Sequence, residues 1–207
     1  LNYMDRQMLS TMRAPMMIDI QELESAANFG RLMAVFLWIY GFMSPVAGLI
    51  ADRLSRKWLI VGSLAVWSGV TFMMGYATSF DQLYILRGIM GISEALYLPA
   101  ALSLIADYHQ TKTRSLAVGI HMTGLYTGQA IGGFGATLAV MYSWNATFHW
   151  FGIIGVLYSF VLAFFLKDKR KEMAPSIAEK MPAKQSIPVL KSLLILLGNI
   201  SFWVILF

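Results

Sequence analysis

The decapeptide GLIADRLSRK, residues 48–57, decides the fold because it lies between two long uncharged stretches. Residues 32–50 contain no Asp, Glu, Lys or Arg, and neither do residues 58–80. Four charges fall within six residues of the decapeptide, and a glycine precedes them: Gly48, Asp52, Arg53, Arg56 and Lys57. This pattern indicates a short polar turn between two helices that cross a membrane.

The composition of the whole chain agrees with a membrane protein. Its 207 residues are 57% hydrophobic and only 13% charged, whereas soluble domains carry about 25% charged residues. About 20 helical residues cross a hydrocarbon core of about 30 Å, and the uncharged stretches have that length. The chain contains no cysteine, which excludes disulfides and cysteine-based metal sites.

Six membrane spans and the start of a seventh are predicted. Helices are expected because the apolar runs are continuous rather than alternating, and because a backbone in lipid must satisfy its own hydrogen bonds. The expected spans are 1–18, 29–50, 58–77, 82–106, 113–139 and 146–166, followed by a basic linker, 167–188, and a partial span, 189–207. The fold class is therefore an all-α membrane protein, with a six-helix N-terminal bundle, 1–166, that reads as a fragment cut at both ends.

Positive charge is concentrated on one side of the predicted bundle. The loops after spans two, four and six, together with the first residues of the spans that follow them, hold 12 of the 16 Lys and Arg residues. The opposite loops carry four acids, Asp19, Glu22, Glu24 and Asp81. Because Lys and Arg bias sets orientation, the basic loops are expected to face the cytoplasm. A nucleic-acid partner is not expected, since the basic residues are divided among short loops.

Apart from charged residues close to the loops, four Asp, Glu or Arg residues fall inside predicted spans: Asp5, Arg6, Arg87 and Glu94. Such groups cost several kcal/mol at membrane depth and usually face a wet cavity or a partner. Arg87 and Glu94 are seven residues apart, which places them on one helix face about 10 Å apart along the axis. That distance is too long for a direct ion pair, so one group could hold substrate while the other exchanges a proton. A static ion network that fixes helix packing is the alternative.

The decapeptide resembles the loop signature G-x-L-A-D-R-x-G-R-R/K of the major facilitator superfamily, from which it departs at Ile50 and Ser55. The resemblance implies the N-terminal half of a twelve-helix secondary carrier, whose second half would complete the substrate cavity. It also implies a cytoplasmic latch that holds the outward-facing state. The latch would be built from Gly48, Asp52, Arg53 and Arg56.

The first span contains NYMDR, residues 2–6, an N-Y-x-D-R segment that resembles the anion:cation symporters, including sugar-acid, hexuronate and vesicular anion carriers. Spinster-like carriers share a similar segment. The resemblance implies that Glu94 is the proton site, with Asp5 and Arg87 completing a coupling network. By the same resemblance Arg6 binds the substrate carboxylate, which suits a bidentate guanidinium, and Tyr3 adds a hydroxyl.

Two further residues are candidates for substrate binding. The ring of Tyr40 could stack on a sugar, although ordinary packing explains it equally well. The fifth span resembles the G-x-x-x-G-P-x-x-G-G segment of drug and proton antiporters, with Gln129 where that segment has proline. This amide could reach the cavity. His121 and His149 show no metal-ligand spacing, and packing roles are expected for both.

The function predicted from these observations is proton-coupled symport of a small organic anion, such as a sugar acid, by alternating access across the cytoplasmic membrane. Its expected partners are the anion, protons, the lipid bilayer and a second half of the same chain, with no cofactor and no metal. The alternatives are an efflux antiporter, a Spinster-like lipid carrier, or a non-transporting sensor or assembly protein. An enzyme is not expected, because Ser-His-Asp, H-E-x-x-H and P-loop patterns are missing.

Overall fold

Serine residues begin the three long helices that start on the acidic side of the bundle. The hydroxyl oxygens of Ser25, Ser79 and Ser143 accept hydrogen bonds from the backbone N–H groups three residues later. A serine in this position satisfies one of the N–H groups that the first helical turn leaves without a partner. These caps fix where the second, fourth and sixth predicted spans enter the bundle.

The computed structural model describes residues 2–109, 111–168 and Gly198. All of these except Gly198 belong to one compact unit, Leu1–Arg170. Within it the helices are α1 (Asn2–Thr11), α2 (Arg13–Met16), α3 (Ala26–Arg53), α4 (Arg56–Met74), α5 (Phe80–Ala95), α6 (Tyr97–Tyr108), α7 (Thr111–Gly132), α8 (Gly135–Tyr142) and α9 (Trp144–Phe165), with a 3₁₀ turn at Gln21–Glu24. Most of the predicted linker and the partial seventh span lie outside the described residues.

The prediction of an all-helical membrane bundle is confirmed. Four segments in the described part of the chain are long and apolar enough to cross a membrane: Ala26–Arg53, Arg56–Met74, Phe80–Tyr108 and Trp144–Phe165. The first and fifth predicted spans are helical but do not meet this criterion. The first is divided at Met12 into two short helices, and the fifth is divided at residues 133–134, between α7 and α8.

The decapeptide forms the turn that its charges predict. Helix α3 ends at Arg53, the backbone is extended at Leu54 and Ser55, and α4 begins at Arg56. The fourth span is interrupted at Leu96, between α5 and α6. Pro99 accounts for that break, because proline has no N–H to donate to the carbonyl four residues earlier.

Glycines allow the helices that carry the charged residues to approach each other closely. The main packing pairs are α4 with α9, α3 with α5, and α1 with α7. A Cβ atom on Gly91 of α5 would lie 2.9 Å from the carbonyl oxygen of Phe36 on α3. A Cβ atom on Gly132 of α7 would lie 2.5 Å from the carbonyl oxygen of Met4 on α1. Both contacts are tighter than any other residue permits, so they set the position of α3 against α5 and of α1 against α7.

Candidate functional site

An ion pair between α1 and α5 forms the centre of the candidate site. Arg6 Nε donates a hydrogen bond of 2.9 Å to Glu94 Oε2, and Arg6 Nη2 lies 2.8 Å from the same oxygen. The Glu94 side chain is completely buried, whereas the Arg6 side chain keeps 19% of its surface exposed. The other carboxylate oxygen, Oε1, has no hydrogen-bond partner among the described residues. The pair therefore has one enclosed end and one accessible end.

Aromatic rings surround the Arg6 guanidinium. Its Cζ atom lies 4.9 Å from the ring centre of Tyr3, 4.5 Å from that of Phe36 and 4.6 Å from that of Tyr40. Phe36 and Tyr40 are one helical turn apart on α3 and stack on each other. Cation–π contacts of this kind offset part of the dehydration of a guanidinium in an apolar setting. The rings hold Arg6 in place on the sides that Glu94 does not occupy.

A second guanidinium, that of Arg87, lies deeper in the bundle and is bound by neutral groups. Arg87 is only 2% exposed. Its Nη1 lies 3.4 Å from the sulfur of Met90, its Nη2 lies 3.8 Å from the sulfur of Met33, and its Cζ is 4.4 Å from the ring centre of Phe36. Among residues 2–109 and 111–168, no carboxylate lies within ion-pair distance of it. Arg87 and Glu94 therefore form no direct ion pair, in keeping with their seven-residue spacing.

Asp5 completes the cluster of ionisable residues. It is buried on α1, next to Arg6 in the chain, and it interacts electrostatically with Glu94, Arg87 and Arg6. The structure therefore brings together the four in-span charges that the sequence singles out. They form one group between α1 and α5, with Phe36 of α3 against both guanidiniums. This group is called the charged cluster below, and it comprises Asp5, Arg6, Arg87 and Glu94.

The remaining predicted ligands lie on the accessible side of the charged cluster or away from it. Tyr3 and Tyr40 are half-buried beside Arg6. Gln129 is exposed on α7. One turn earlier, Tyr126 is 64% exposed and packs its ring 6.4 Å from that of Tyr3. Sequence reasoning does not single out Tyr126, which contacts Tyr3 from α7.

The sequence also leaves out Phe36 and the two methionines that contact Arg87, Met33 and Met90. An aromatic or methionine residue in an apolar span gives no signal that separates a ligand from ordinary packing. The spacing of Phe36 and Tyr40, four residues apart, is the one hint of a shared face. Their role becomes visible only once α3 is placed beside α1 and α5.

The turn after α3 is anchored to α6 through Arg56. Arg56 Nη1 donates a hydrogen bond of 2.9 Å to the carbonyl oxygen of Ser103, and the guanidinium forms an ion pair with Asp107 near the end of α6. Asp52 and Arg53 are exposed. A Cβ atom on Gly48 would meet nothing within 4 Å. Arg56 thus ties the start of α4 to the end of α6, and sequence reasoning does not name its partner Asp107.

The two histidines, His121 and His149, are not part of the charged cluster. Neither is a cavity of about 380 Å³ between the helices. His149 packs against Phe72 and Tyr76, and His121 lies beside Tyr97. The cavity is lined by α4, α6, α7 and α9 residues together with Asn2, and by none of the four charged-cluster side chains. Within the described residues, no group of three or more metal-ligating side chains is present.

Comparison with known proteins relates this geometry to transporters. The sequence is similar to a probable chloroplastic anion transporter of Oryza sativa subsp. japonica, with 29% identity over 88% of the chain and 36% of that protein. It is also similar to the hexuronate transporter of Bacillus subtilis, with 28% identity over 91% of the chain and 45% of that protein. The chain thus spans less than half the length of these relatives.

A solved transporter structure has a similar fold. The fold matches a bacterial homologue of the human lysosomal transporter Spinster in an inward-facing, unoccupied conformation. The TM-score is 0.68 at 26% identity, over 81% of this chain and 40% of the other. The sequence profile of the Major Facilitator Superfamily matches residues 1–207. On the helical bundle, the turn signature and this match together, the chain belongs to the Major Facilitator Superfamily.

Proposed function

We propose that this chain forms part of a proton-coupled symporter that carries a small organic anion, such as a sugar acid, by alternating access. One observation carries the proposal: Arg6 binds the fully enclosed Glu94 at one end and is open to the aromatic rim at the other. A guanidinium in that position can be reached by an anion that enters from the rim. Anion binding at this guanidinium would also change its ion pair with Glu94, a carboxylate that solvent does not reach.

The coupling follows from competition for a single guanidinium. An entering carboxylate and Glu94 would both seek Arg6, whose planar fork suits either of them. When the anion takes Arg6, Glu94 is left in an enclosed, low-dielectric setting in which an unpaired charge is costly. Binding a proton removes that charge. Anion and proton therefore bind together more favourably than either does alone, which is the thermodynamic requirement for symport.

Arg87 and Asp5 have supporting roles in this mechanism. Arg87 contacts thioether sulfurs and the Phe36 ring rather than a carboxylate. Its positive charge favours an anion entering the cluster. Asp5 balances the second guanidinium and interacts with Glu94. The pair of acids can share the proton as the carrier moves between its two facing states.

The substrate class is inferred from chemistry and from relatives. The Arg6 guanidinium, bordered by Tyr3, Tyr40 and Phe36, suits a carboxylate that is attached to a ring or a polyol. The aromatic rings provide a surface on which the substrate can stack, and the two tyrosine hydroxyls can hydrogen-bond to it. The relatives named above transport an unspecified anion and hexuronate. Gln129 is kept as a proposed ligand that would contribute from α7. We assign the carrier to the cytoplasmic membrane, with its basic loops inside.

The turn after α3 is proposed as a gate. Gly48, Asp52, Arg53 and Arg56 would hold the outward-facing state, as in the signature that they resemble. The contacts of Arg56 with Ser103 and Asp107 anchor the start of α4 to α6. That anchor would keep Asp52 at the edge of the bundle, where a carboxylate can cap the N-terminus of a helix from the opposing half.

The test of coupling is transport by the Glu94→Gln protein in proteoliposomes. With an acidic exterior, the unsubstituted protein is expected to accumulate labelled glucuronate against its gradient. Glu94→Gln should lose this accumulation yet continue to exchange labelled for unlabelled glucuronate, because the amide keeps the shape without exchanging a proton. The matched control is Asp81→Asn, an exposed acid at the start of the same helix. Accumulation that survives in Glu94→Gln would remove this residue from the coupling mechanism.

The test of substrate binding compares charged and neutral ligands. Arg6→Ala is expected to weaken binding of glucuronate far more than binding of a neutral sugar alcohol of similar size, which has no carboxylate. The control is Arg31→Ala, since Arg31 is exposed near the start of α3 and distant in sequence from the charged cluster. Equal losses for both ligands would instead favour a structural role for Arg6 in helix packing.

A second candidate is a Spinster-like carrier, which the fold match to a Spinster homologue favours. In that case hydrophobic or amphipathic compounds would move while glucuronate would not. A proton-gradient uptake assay with both kinds of substrate separates the two. If neither moves in the full-length protein, a non-transporting membrane protein becomes the better description.

A further inference from the structure

A groove between α4 and α9 stands apart from the proposed transport site. It has a volume of about 390 Å³ and is almost entirely apolar. Trp58, Val61 and Ala65 line it on α4, and Val156, Phe160 and Phe164 line it on α9. Trp58, Phe160 and Phe164 are exposed aromatic side chains on the outside of the bundle, whereas Val61 is buried. In a membrane protein such a surface faces the acyl chains of lipids.

The direction of the groove follows from two hydrogen bonds. The start of α4 is joined to the end of α9 by Ser55, whose hydroxyl donates to Asp168 Oδ2 at 2.6 Å. The end of α4 is joined to the start of α9 by Asn145, whose amide donates to the Gly75 carbonyl oxygen at 3.0 Å. The two helices are therefore antiparallel. From Trp58 to Ala65 the groove runs about 10 Å along the helix axis, a large part of one leaflet.

Basic side chains lie at one end of this groove. Lys57 is half-buried beside it, and its Nζ atom lies 5.3 Å from the ring centre of Trp58. Lys167 is separated from the end of α9 by one extended residue, Leu166, and is exposed. The neighbouring acid, Asp168, is engaged with Ser55. No Lys or Arg is present in residues 58–80 or 143–166, so the other end of the groove has no cationic side chain of its own.

We infer that the α4/α9 groove binds an anionic phospholipid of the leaflet on the basic-loop side. One acyl chain would lie between Trp58 and Ala65, and the phosphate would contact Lys57 and Lys167. Tryptophan favours the level of the headgroups, and lysine extends from apolar surroundings towards a phosphate. Basic residues next to a span attract anionic lipid through the surface potential of the membrane. The inference does not depend on the proposed transport function.

A second groove provides an internal control. It lies between α8 and α9, has a volume of about 370 Å³ and is lined by Leu138, Tyr142, Trp150 and Ile154 among others. It is equally apolar, but residues 115–166 contain no Lys or Arg. This groove should accept acyl chains without regard to the charge of the headgroup. A difference between the two grooves would therefore report the lysines and not apolar surface in general.

The test uses quenching of tryptophan fluorescence by brominated acyl chains. The protein is reconstituted in dibrominated phosphatidylglycerol or in dibrominated phosphatidylcholine, and the Trp58 signal is obtained as the difference from Trp58→Phe. Quenching of Trp58 is expected to be stronger with the anionic lipid, while quenching of Trp150 should be the same in both. In mixtures of brominated and plain lipid, each Lys→Gln change should weaken the apparent preference about five-fold.

Two outcomes would overturn the inference. One is equal quenching of Trp58 by both lipids, which would make the groove an ordinary lipid-facing surface. The other is an anionic preference that persists in the Lys57→Gln, Lys167→Gln double variant. Ala163→Phe supplies a second measurement, because Ala163 also lines the groove. Filling the groove should reduce quenching of Trp58 by either lipid and leave Trp150 unchanged; unchanged Trp58 quenching would again contradict the proposed acyl position.

Discussion

At the scale of single residues, the molecule keeps charges inside an apolar bundle by giving each of them a different kind of partner. Glu94 has a guanidinium, Arg6 has a carboxylate and three aromatic rings, and Arg87 has two thioethers and one ring. Asp5 supplies a second negative charge. The cluster contains two acids and two bases, so its formal charge is zero.

The Arg6–Glu94 pair predicts an asymmetric loss of stability. Removing one member of a buried pair costs about 3–5 kcal/mol because the other charge is left unpaired. Arg6→Met should approach that cost, since Glu94 is completely enclosed. Glu94→Gln should cost less, because Arg6 keeps its aromatic contacts and part of its exposure. The double variant should recover much of the Arg6→Met loss. The measurement is the free energy of unfolding from SDS titration in mixed micelles.

Arg31→Met is the control for this cycle, and its stability should match that of the unsubstituted protein because Arg31 is exposed. Additive losses in the double variant would mean that the two side chains do not interact in the folded protein. Equal losses in the two single variants would mean that Arg6 is as enclosed as Glu94. Either result would contradict the competition mechanism, which requires a coupled pair with one accessible end.

Only part of the charged cluster could be predicted from the sequence. The rarity of charge in the spans identifies Asp5, Arg6, Arg87 and Glu94, and helical spacing separates the last two. Glu94 pairs with Arg6 rather than with Arg87 because of how α1 is rotated against α5. Run lengths and helical spacing do not give this rotation, since Arg6 and Glu94 are 88 positions apart in the sequence. The role of Phe36 was equally inaccessible, because one apolar aromatic residue among many carries no charge or spacing to mark it.

At the scale of helices, close packing of α3 on α5 determines the geometry of the cluster, and this predicts an effect of Gly91. Gly91→Ala would place a methyl group 2.9 Å from the Phe36 carbonyl oxygen. Because backbone must move to relieve that contact, we expect a loss of about 1–3 kcal/mol. The same shift would pull Phe36 away from Arg87. Thermal unfolding in detergent measures the first effect, and glucuronate binding measures the second.

The matched control for Gly91 is Gly41 on α3, where an added Cβ would meet nothing within 4 Å. Gly41→Ala should be neutral or stabilising by up to about 1 kcal/mol, because alanine favours helix. If both substitutions have the same effect, helix propensity and not close approach determines the role of Gly91. A stabilised Gly91→Ala protein would mean that α3 and α5 are farther apart than described.

The positions of the helices were more predictable than their continuity. The four apolar segments follow from apolar runs of membrane length with few or no charges, and their ends follow from serine caps and from the charged turn after α3. The division of the first span at Met12 and of the fifth at residues 133–134 did not follow from any run length. In the fifth span, Arg114, Gln129 and several glycines lower the apolar signal, although α7 is helical and packs on α1.

At the scale of the whole molecule, the unequal distribution of Lys and Arg gives the bundle two different ends. The turn after α3 and the start of α7 are basic, whereas the segment before α3 and the start of α5 are acidic. Because short basic loops are retained on the cytoplasmic side, this asymmetry predicts a single orientation. It also predicts that Lys57 and Lys167 meet the inner leaflet, where anionic lipids are concentrated.

The 207 residues contain no cysteine, so single cysteines introduced among them can test that orientation once any cysteine elsewhere in the protein is replaced. Lys112 and Thr78 are both exposed, and they lie at opposite ends of the bundle. In intact cells, a membrane-impermeant maleimide is expected to label Thr78→Cys and not Lys112→Cys. After permeabilisation it should label both, which controls for reactivity. Labelling of Lys112→Cys alone in intact cells would show that the protein has the opposite orientation. In that case protons would enter from the other side, and the α4/α9 lipid would lie in the other leaflet.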